Sequence, residues 1–464
     1  MRGLLWAAGE AFLAALILTP ILRDIFRAYN VVDRPGRRKV HAYPIPRLGG
    51  IAVASAYVIA LAFYSGADPA AGSDLPARQV LPGAAVIFLT GILDDFFNLR
   101  PAYKLLGQVA AAALVFWSGL RIETVAAVPL PLGLSLPLTV FWLLLSMNAF
   151  NLIDGLDGLC AGVAFLAAGT LFVAARIQGN FALEHATLPL AGALLGFLFY
   201  NFHPATMFLG DSGAMLIGLL LGCFGIVWTG QQTTMLSAAA PLLALSLPLI
   251  DLSVSVVRRF LRSRPIFSPD REHIHHRLLD LGLTRWRAVL ILYVAAAVGG
   301  VFALLLIHPS LRKAQAYVIV GFCAAAWVGV ERLRYNEFDV AGRLLFRGEF
   351  QRALKENVRI HELAAAFERC ETEEAWWDRV ATAVHGAGWT SATWIRNGSI
   401  HRERAFPSQP PAWRFRIALG EDEAVEIEGP LQPAGSSLDL MALAGAIHSS
   451  LAVRRSSWER RALP

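Results

Sequence analysis

Charged residues are scarce in this chain. Asp, Glu, Lys and Arg make up 16% of its 464 residues, whereas a soluble globular protein has about 25%. Apolar residues take their place and account for 56% of the sequence. This composition excludes an ordinary soluble enzyme and favours a membrane protein. The net charge of +6 would suit anionic lipid headgroups or an anionic substrate equally well.

Cysteine is scarce as well, and no internal repeat is visible. The four cysteines are scattered and form no Cys-x-x-Cys motif: Cys160, Cys223, Cys323 and Cys370. Their spacing excludes a disulfide framework and argues against a zinc site. The lack of a repeat between two halves argues against a secondary transporter, which would also place its polar residues near the middle of the bilayer.

Long apolar runs dominate residues 1–331, and each approaches the ~20 residues that a membrane-spanning helix needs. We predict eleven spans, at 3–26, 47–65, 80–93, 104–120, 134–150, 157–175, 186–202, 211–229, 236–257, 288–307 and 314–331. Lys and Arg are concentrated in loops 27–46 and 258–287. Because basic loops stay in the cytoplasm, the N-terminus should lie outside and the C-terminus inside.

Residues 332–464 are polar and mixed in charge, and no run among them is long enough to span a membrane. The patterns in this region are helical over 338–385 and 437–453 and strand-like at 389–396, 413–419 and 424–428. The predicted fold class is therefore an all-α polytopic membrane protein of about eleven transmembrane helices, with a cytoplasmic α+β domain after it. That domain is faintly GAF-like and would serve regulation or interaction.

Five polar segments interrupt the apolar runs, each at the end of a predicted span and all on the predicted cytoplasmic side. They occupy 33–50, 94–95, 148–158, 210–213 and 270–276. Carboxylates, histidines and basic residues that gather at one membrane face predict a site for a metal ion and a phosphate.

Adjacent carboxylates form the second segment. Asp94 and Asp95 are costly at a membrane face unless something neutralises them, and a divalent cation does so where a substrate carries phosphate. Solvated charges at a helix end are the alternative. Asp211, in Gly210-Asp211-Ser212-Gly213, is either a helix N-cap or a metal ligand.

The third segment, NAFNLIDGLDGL, gathers amides and carboxylates. Asn148, Asn151 and Asp154 are spaced three apart, which places them on one face of a helix, and Asp157 follows. A helix cap would need one of these polar residues rather than four, so a functional role is favoured.

The fifth segment holds His273, His275 and His276 within four residues. Zinc would need cysteines or a second histidine cluster at ligand spacing, and neither is present. The arginines of the same loop favour contact with phosphate instead. Asp251, inside the ninth predicted span, is either functional or a structural hydrogen-bonding residue.

The first segment carries Lys39, His41 and Arg47 in a stretch that is stiffened by proline and lies close to the membrane. A plain basic loop that sets membrane orientation is the alternative. Such a loop explains the charges but not the Pro-x-Pro-Arg-Leu-Gly-Gly arrangement.

In this order, the segments DRPGRRKVHAYPIPRLGG, GILDDFFNLRPAYKLLGQ, NAFNLIDGLDGL, FLGDSGAMLIG and DREHIHHRLL resemble the polyprenyl-phosphate N-acetylhexosamine-1-phosphate transferases over about residues 1–330. The resemblance implies transfer of N-acetylhexosamine-1-phosphate from a UDP-sugar to undecaprenyl phosphate, with release of UMP. This reaction would start lipid-linked cell-envelope polysaccharide synthesis at the cytoplasmic face of a bacterial inner membrane. His203 departs from the apolar residue or proline expected of the family.

The resemblance also implies roles for individual residues. The catalytic residues would be Asp94, Asp95 and Asp154, and the ligands of Mg²⁺, with Mn²⁺ as the alternative, would be Asp95 and Asp211. The substrate-binding residues would be Lys39, His41, Arg47, Asn148, Asn151, Asp157, His273, His275 and His276. The expected partners are a UDP-N-acetylhexosamine, undecaprenyl phosphate and membrane lipids, with a homodimer left open and no nucleic acid.

Two questions stay open at this point. Direct attack by the lipid phosphate, with Asp94 as the activating base, is favoured over a covalent aspartyl-phosphate intermediate, but the sequence does not separate them. A membrane-anchored sensor or an inactive homologue that acts through residues 332–464 is the alternative function, although it leaves the five polar segments unexplained.

Overall fold

A computed structural model describes residues 2–33, 44–67, 77–125, 128–230, 234, 236–261, 273–333, 360–406, 412–420, 422–429 and 443–450. The chain divides into two compact units, Met1–Tyr335 and Asn336–Pro464.

The first unit is built mainly from helices. They are α1 Arg2–Ala28, α2 Gly49–Ala67, α3 Ala77–Phe97, α4 Pro101–Trp117, α5 Leu132–Ile153, α6 Leu159–Gln178, α7 Phe181–Asn201, α8 Gly210–Thr229, α9 Ala240–Ala244, α10 Ser246–Leu261, α11 Ile274–Asp280, α12 Arg285–Ile307 and α13 Gln315–Arg332. A two-stranded antiparallel hairpin, β1 Thr124–Val125 and β2 Val128–Pro129, lies between α4 and α5.

Each predicted span contains a helix, but not every helix has the length and apolarity of a span. Among the described residues, eight helices meet both conditions, and a ninth span results if the pair 237–244 and 246–259, bent by 80°, counts as one. Helix α4 has only 17 residues. The part of α2 whose side chains the structure describes, Gly49–Phe63, is also shorter than a span. The predicted number of eleven spans is therefore not confirmed.

Helix α8 lies at the centre of the first unit, and its residues are almost all buried. Helices α2, α3 and α5 pack against it. Small residues allow this approach: a Cβ atom on Gly91 of α3 would lie 2.3 Å from Ser212 Cα, and one on Gly50 of α2 would lie 2.3 Å from Gly213 N. The close contacts bring the end of α3 and the start of α8 together, which positions the site below.

The second unit combines helix α14, Glu373–Gly386, with a four-stranded antiparallel sheet in the order β4-β3-β6-β5. The strands are β3 Ser391–Arg396, β4 Ser399–Ala405, β5 Trp413–Ala418 and β6 Glu423–Gly429. Residues 360–368 and 443–450 are helical. The hydrophobic core of the second unit includes Trp376, Trp377, Trp394 and Ile447. Three of the strands were predicted, whereas β4 is largely exposed and has no alternating apolar pattern to reveal it.

Candidate active site

Several helix ends meet at one side of the first unit: the C-termini of α3 and α5 and the N-termini of α4 and α8. Each end carries a polar side chain in an otherwise apolar helix. The sequence places these groups far apart along the chain, and the packing of α3, α4 and α5 around the start of α8 brings them together.

Asp95 holds the start of α8. The first backbone N–H groups of a helix have no partner within the helix. The Asp95 carboxylate accepts two of them, from Asp211 N at 2.9 Å and from Ser212 N at 3.1 Å. Arg47 donates to the Asp95 backbone carbonyl. Gly210 has a φ of +78°, and a side chain there would strike the Arg47 carbonyl and the Asp95 carboxylate. Asp95 thus orients Asp211.

Lys104 links the other carboxylates of the site. Its ammonium group donates to Asp94 Oδ2 and to Asp211 Oδ2, each at 2.8 Å. Asp94 Oδ1 accepts from Leu99 N at 2.7 Å, and Asn151 Nδ2 donates to Asp211 Oδ1 at 2.5 Å. Sequence reasoning missed Lys104. The available signal was its position as the only charged residue in α4.

Asn148 precedes Asn151 by three residues on α5 and so lies farther from the C-terminal end of this helix. Its Nδ2 donates to Gln108 Oε1 at 2.9 Å, and Gln108 Nε2 donates back to Asn148 Oδ1 at 3.3 Å. Gln108 is buried and was also missed. This reciprocal pair joins α4 to α5 and so fixes the separation between Lys104 and Asn151.

A cavity of about 440 Å³ opens beside these groups. Five carboxylates line it, from Asp33, Asp95, Asp154, Asp157 and Asp211. The basic groups on its wall are Arg47, Arg285 and His276. Carboxylates therefore outnumber guanidinium groups, which is unfavourable for an anionic ligand unless a cation accompanies it. Arg285 was not among the predicted site residues.

Asp154 follows the last residue of α5 and faces the cavity. Burial raises the pKa of its carboxyl group well above the usual value, and the nearby charges of Asp211, Asp95 and Asp157 raise it further. A divalent cation in the cavity would reverse this effect, because an opposite charge favours the ionised form.

The donor chemistry of the cavity suits a hard divalent cation. Among the described residues, no three His, Cys, Asp or Glu side chains are grouped closely enough to hold a metal by themselves. Mg²⁺ usually takes only one or two carboxylates from the protein and fills its remaining positions with water and substrate phosphates. Asp95, Asp154 and Asp211 line the cavity and are the candidates for such a pair. The oxygens of Asp95 accept backbone N–H groups, and those of Asp211 accept from the side chains of Asn151 and Lys104.

The three histidines of the fifth segment occupy different places. His276 lines the cavity. His273 contacts α10, where its Nδ1 lies 3.1 Å from Ser255 Oγ and 3.4 Å from Asp251 Oδ2. His275 is buried behind the cavity wall, and burial lowers its pKa to about 3, so its imidazole is neutral at neutral pH.

Asp157 belongs to the turn that follows α5. Its Oδ2 accepts from His203 Nδ1 at 2.8 Å and from Ala205 N at 3.1 Å. Tyr293 on α12 donates to the Gly158 carbonyl at 2.6 Å. The turn is thus held from two sides, and His203, which departs from the expected pattern, serves this support.

The remaining predicted residues lie outside the described part of the chain. These are Lys39 and His41 in the first loop, together with the stretch 262–272 that precedes the histidines. Their roles stay predictions.

Residues 78–229 match the family model described as glycosyl transferase family 4. The chain is 35% identical over 304 residues to the "Probable undecaprenyl-phosphate N-acetylglucosaminyl 1-phosphate transferase" of Bacillus subtilis, which covers 64% of this chain and 83% of that protein. It is 34% identical over 326 residues to the "Decaprenyl-phosphate N-acetylglucosaminephosphotransferase" of Mycobacterium tuberculosis (63% and 80%). It is 27% identical over 303 residues to the "Undecaprenyl-phosphate alpha-N-acetylglucosaminyl 1-phosphate transferase" of Escherichia coli (62% and 79%).

Proposed function

We propose a reaction from one premise, that the chain belongs to the polyprenyl-phosphate N-acetylglucosaminyl 1-phosphate transferase family. Relatives are named for the transfer of N-acetylglucosamine-1-phosphate to a polyprenyl phosphate. We infer that this chain transfers an N-acetylhexosamine-1-phosphate, with N-acetylglucosamine as the first candidate, from a UDP-sugar to undecaprenyl phosphate and releases UMP.

The contact of Lys104 with both Asp94 and Asp211 carries the proposal. A partly buried cluster of this kind at helix ends, beside an open cavity, is costly for folding alone and is typical of a site that handles charged groups. It lies where a lipid phosphate at headgroup depth and a soluble nucleotide can both arrive. The basic loops 27–46 and 258–287 support the assignment of this face to the cytoplasm.

The cavity supports a nucleotide-sugar donor. Arg47, Arg285 and His276 on its wall can donate to a pyrophosphate. Phe208 also lines the cavity, and an aromatic residue there suits a planar base. The apolar and polar groups together match a ligand that is both anionic and flat.

The proposed chemistry is a single displacement. A phosphate oxygen of the lipid attacks the β-phosphorus of the UDP-sugar, a new P–O–P link forms, and the bond to the α-phosphate breaks, so that UMP leaves with the electron pair. Asp94 can take the proton from a singly protonated lipid phosphate. Lys104 keeps Asp94 and Asp211 in place. Mg²⁺ or Mn²⁺, held by Asp211 and Asp154, would supply neutralisation of the pyrophosphate charge.

The test is UMP release by detergent-purified protein that is given undecaprenyl phosphate, Mg²⁺ and either UDP-N-acetylglucosamine or UDP-N-acetylgalactosamine. We expect carrier-dependent UMP that is lost in EDTA and in Asp94→Asn and Asp211→Asn. Asp24→Asn is the matched control, because Asp24 is an exposed carboxylate at the end of α1. Release that survives Asp211→Asn, or a folded protein that is inactive with each donor, would contradict the proposal and favour an inactive homologue.

A further inference from the structure

His275 is buried directly behind the wall of the cavity. Its side chain is packed against Gly155, where a Cβ atom would lie 2.4 Å from His275 Nε2 and 2.8 Å from Cε1. Such distances leave no room for any side chain at position 155. The imidazole of His275 therefore rests on the backbone of the turn, and His276, its neighbour, is the one that lines the cavity.

Gly155 is required for space and not for its backbone conformation. Gly158, three residues later, has a φ of +78°, a conformation that strains any other residue. Gly155 has no positive φ, so an alanine would be tolerated there if the ring of His275 were absent. The two glycines of the same turn thus have separable roles.

The ring of His275 is held in place from α10. Asp251, which is 1% exposed, accepts from Ile274 N at 2.8 Å and so fixes the start of α11. His273, anchored by Asp251 and Ser255, stacks on His275 with ring centroids 5.7 Å apart and planes 8° apart. A carboxylate inside the apolar unit thereby holds the histidine segment against the turn.

The turn that receives the ring carries Asp154. Asp154 precedes Gly155 and faces the cavity, and Gly155 N donates to the Ile153 carbonyl at 2.8 Å. Tyr293 and His203 support the far end of the turn at Gly158 and Asp157. His275 closes the near end, next to Asp154.

The imidazole contributes shape rather than hydrogen bonds. Its buried Nδ1 has no hydrogen-bond partner among the described residues, and its side chain is 2% exposed. A substrate-binding histidine would present a nitrogen to the cavity. An apolar ring of similar size should therefore replace it.

We propose that His275 is a positioning residue that fixes Asp154 through Gly155 and does not contact the substrate. This inference rests on the proposed function, because Asp154 matters to the reaction only if the cavity binds the donor and its cation. It assigns the three histidines separate tasks: His273 anchors, His275 positions and His276 faces the ligand.

The test combines Gly155→Ala, which adds a methyl group, with His275→Ala, which removes the ring. We call the compensation between these two substitutions the size exchange. We expect Gly155→Ala to lower kcat by about tenfold to a hundredfold, since a displacement of ~1 Å can cost that much, with a small change in the KM for the UDP-sugar. His275→Ala should lower kcat as well. The double variant should be no worse than His275→Ala, because the added methyl group fills the space that the ring leaves.

Two further variants sharpen the outcome. His275→Phe should keep most of kcat, because it retains a ring on Gly155. Gly158→Ala should remain impaired in the His275→Ala background, because its defect is one of backbone conformation. Losses from Gly155→Ala and His275→Ala that multiply, or His275→Phe as impaired as His275→Ala with an unchanged unfolding temperature, would overturn the proposal.

Unfolding temperatures in detergent separate this proposal from the proposed function. The size exchange should appear there too, with the double variant more stable than Gly155→Ala alone. If the wild-type protein releases no UMP but the exchange is present, the proposed function fails and the contact stands. If the wild-type protein is active and neither readout shows the exchange, the positioning role fails alone.

Discussion

At the residue scale, the site depends on one ammonium group. Lys104 Nζ lies 2.8 Å from a carboxylate oxygen of both Asp94 and Asp211. The two carboxylates belong to different helices, and without the lysine they would repel each other at short range. Lys104 is therefore part of the charge balance that any substrate or cation meets.

Substitution of Lys104 by Gln should lower UMP release by more than about a hundredfold, because the positive charge next to the reacting phosphates is removed. Lys313→Gln is the control, since Lys313 is exposed and lies in the 3₁₀ turn Pro309–Ala314. Transfer at near wild-type rate in Lys104→Gln would show that the lysine serves folding only.

The sequence could predict Asp94 and Asp211 but not their link. Polar groups in an apolar chain stand out by themselves, so Asp94, Asp211, Asn151 and the histidines can be named as candidates from the sequence, whereas Asp33 on the cavity wall was not among them. Lys104 reaches residues 10 and 107 positions away, and only the packing of α3, α4 and α8 reveals that. Asp94 and Asp95 are adjacent and of the same residue type, so the sequence does not distinguish them. In the structure Asp94 binds Lys104, whereas Asp95 accepts the first N–H groups of α8.

The buried histidine gives a pH-dependent stability. In the unfolded chain His275 binds a proton near pH 6.5, whereas in the folded protein burial lowers its pKa to about 3. Between these values the unfolded state binds more protons, so stability is complete above about pH 6.5 and falls as the pH decreases. We expect the unfolding temperature to drop more between pH 7 and pH 5 in the wild-type protein than in His275→Phe. Equal drops would contradict this account.

At the scale of elements, the arrangement of the site depends on how the start of α8 is held. Close contacts of Gly50 and Gly91 with α8 bring α2 and α3 to this end, and the Asp95 carboxylate satisfies the N–H groups of Asp211 and Ser212. The helix that carries Asp211 is thus fixed by the residue next to Asp94.

Asp95→Ala should cost about 1–3 kcal/mol in the free energy of unfolding, because two buried N–H groups lose their acceptor. Asp95→Asn should cost less, since its amide keeps one acceptor oxygen. Thermal or denaturant unfolding in detergent would measure both. Asp95→Ala as stable as the wild-type protein would show that the carboxylate serves the metal rather than the helix.

At the same scale, the sequence predicts the positions of the helices better than the number of membrane spans. Apolar runs predict where a helix lies, and each predicted span contains one. They do not predict the 80° bend between 237–244 and 246–259. Asp251 lies on the helix that follows this bend and binds the histidine segment, which a pattern of apolar residues could not reveal.

At the scale of the whole molecule, the residues of the candidate site all belong to the unit Met1–Tyr335. The matched family region, residues 78–229, supplies Asp94, Asp95, Asp154 and Asp211. Arg47 and the histidine segment come from either side of that region. The site therefore combines residues from within the matched region with residues on both sides of it.

Following both phosphorus atoms of the donor distinguishes transfer of a sugar phosphate from transfer of the sugar alone. Purified protein would receive undecaprenyl phosphate and UDP-N-acetylglucosamine labelled with ³²P at either the α- or the β-phosphate. We expect the β-label to enter the lipid fraction and the α-label to appear as UMP. A β-label that stays in water as UDP while the sugar enters the lipid would contradict phosphotransfer, and a label that enters the lipid from neither position would contradict the transferase itself.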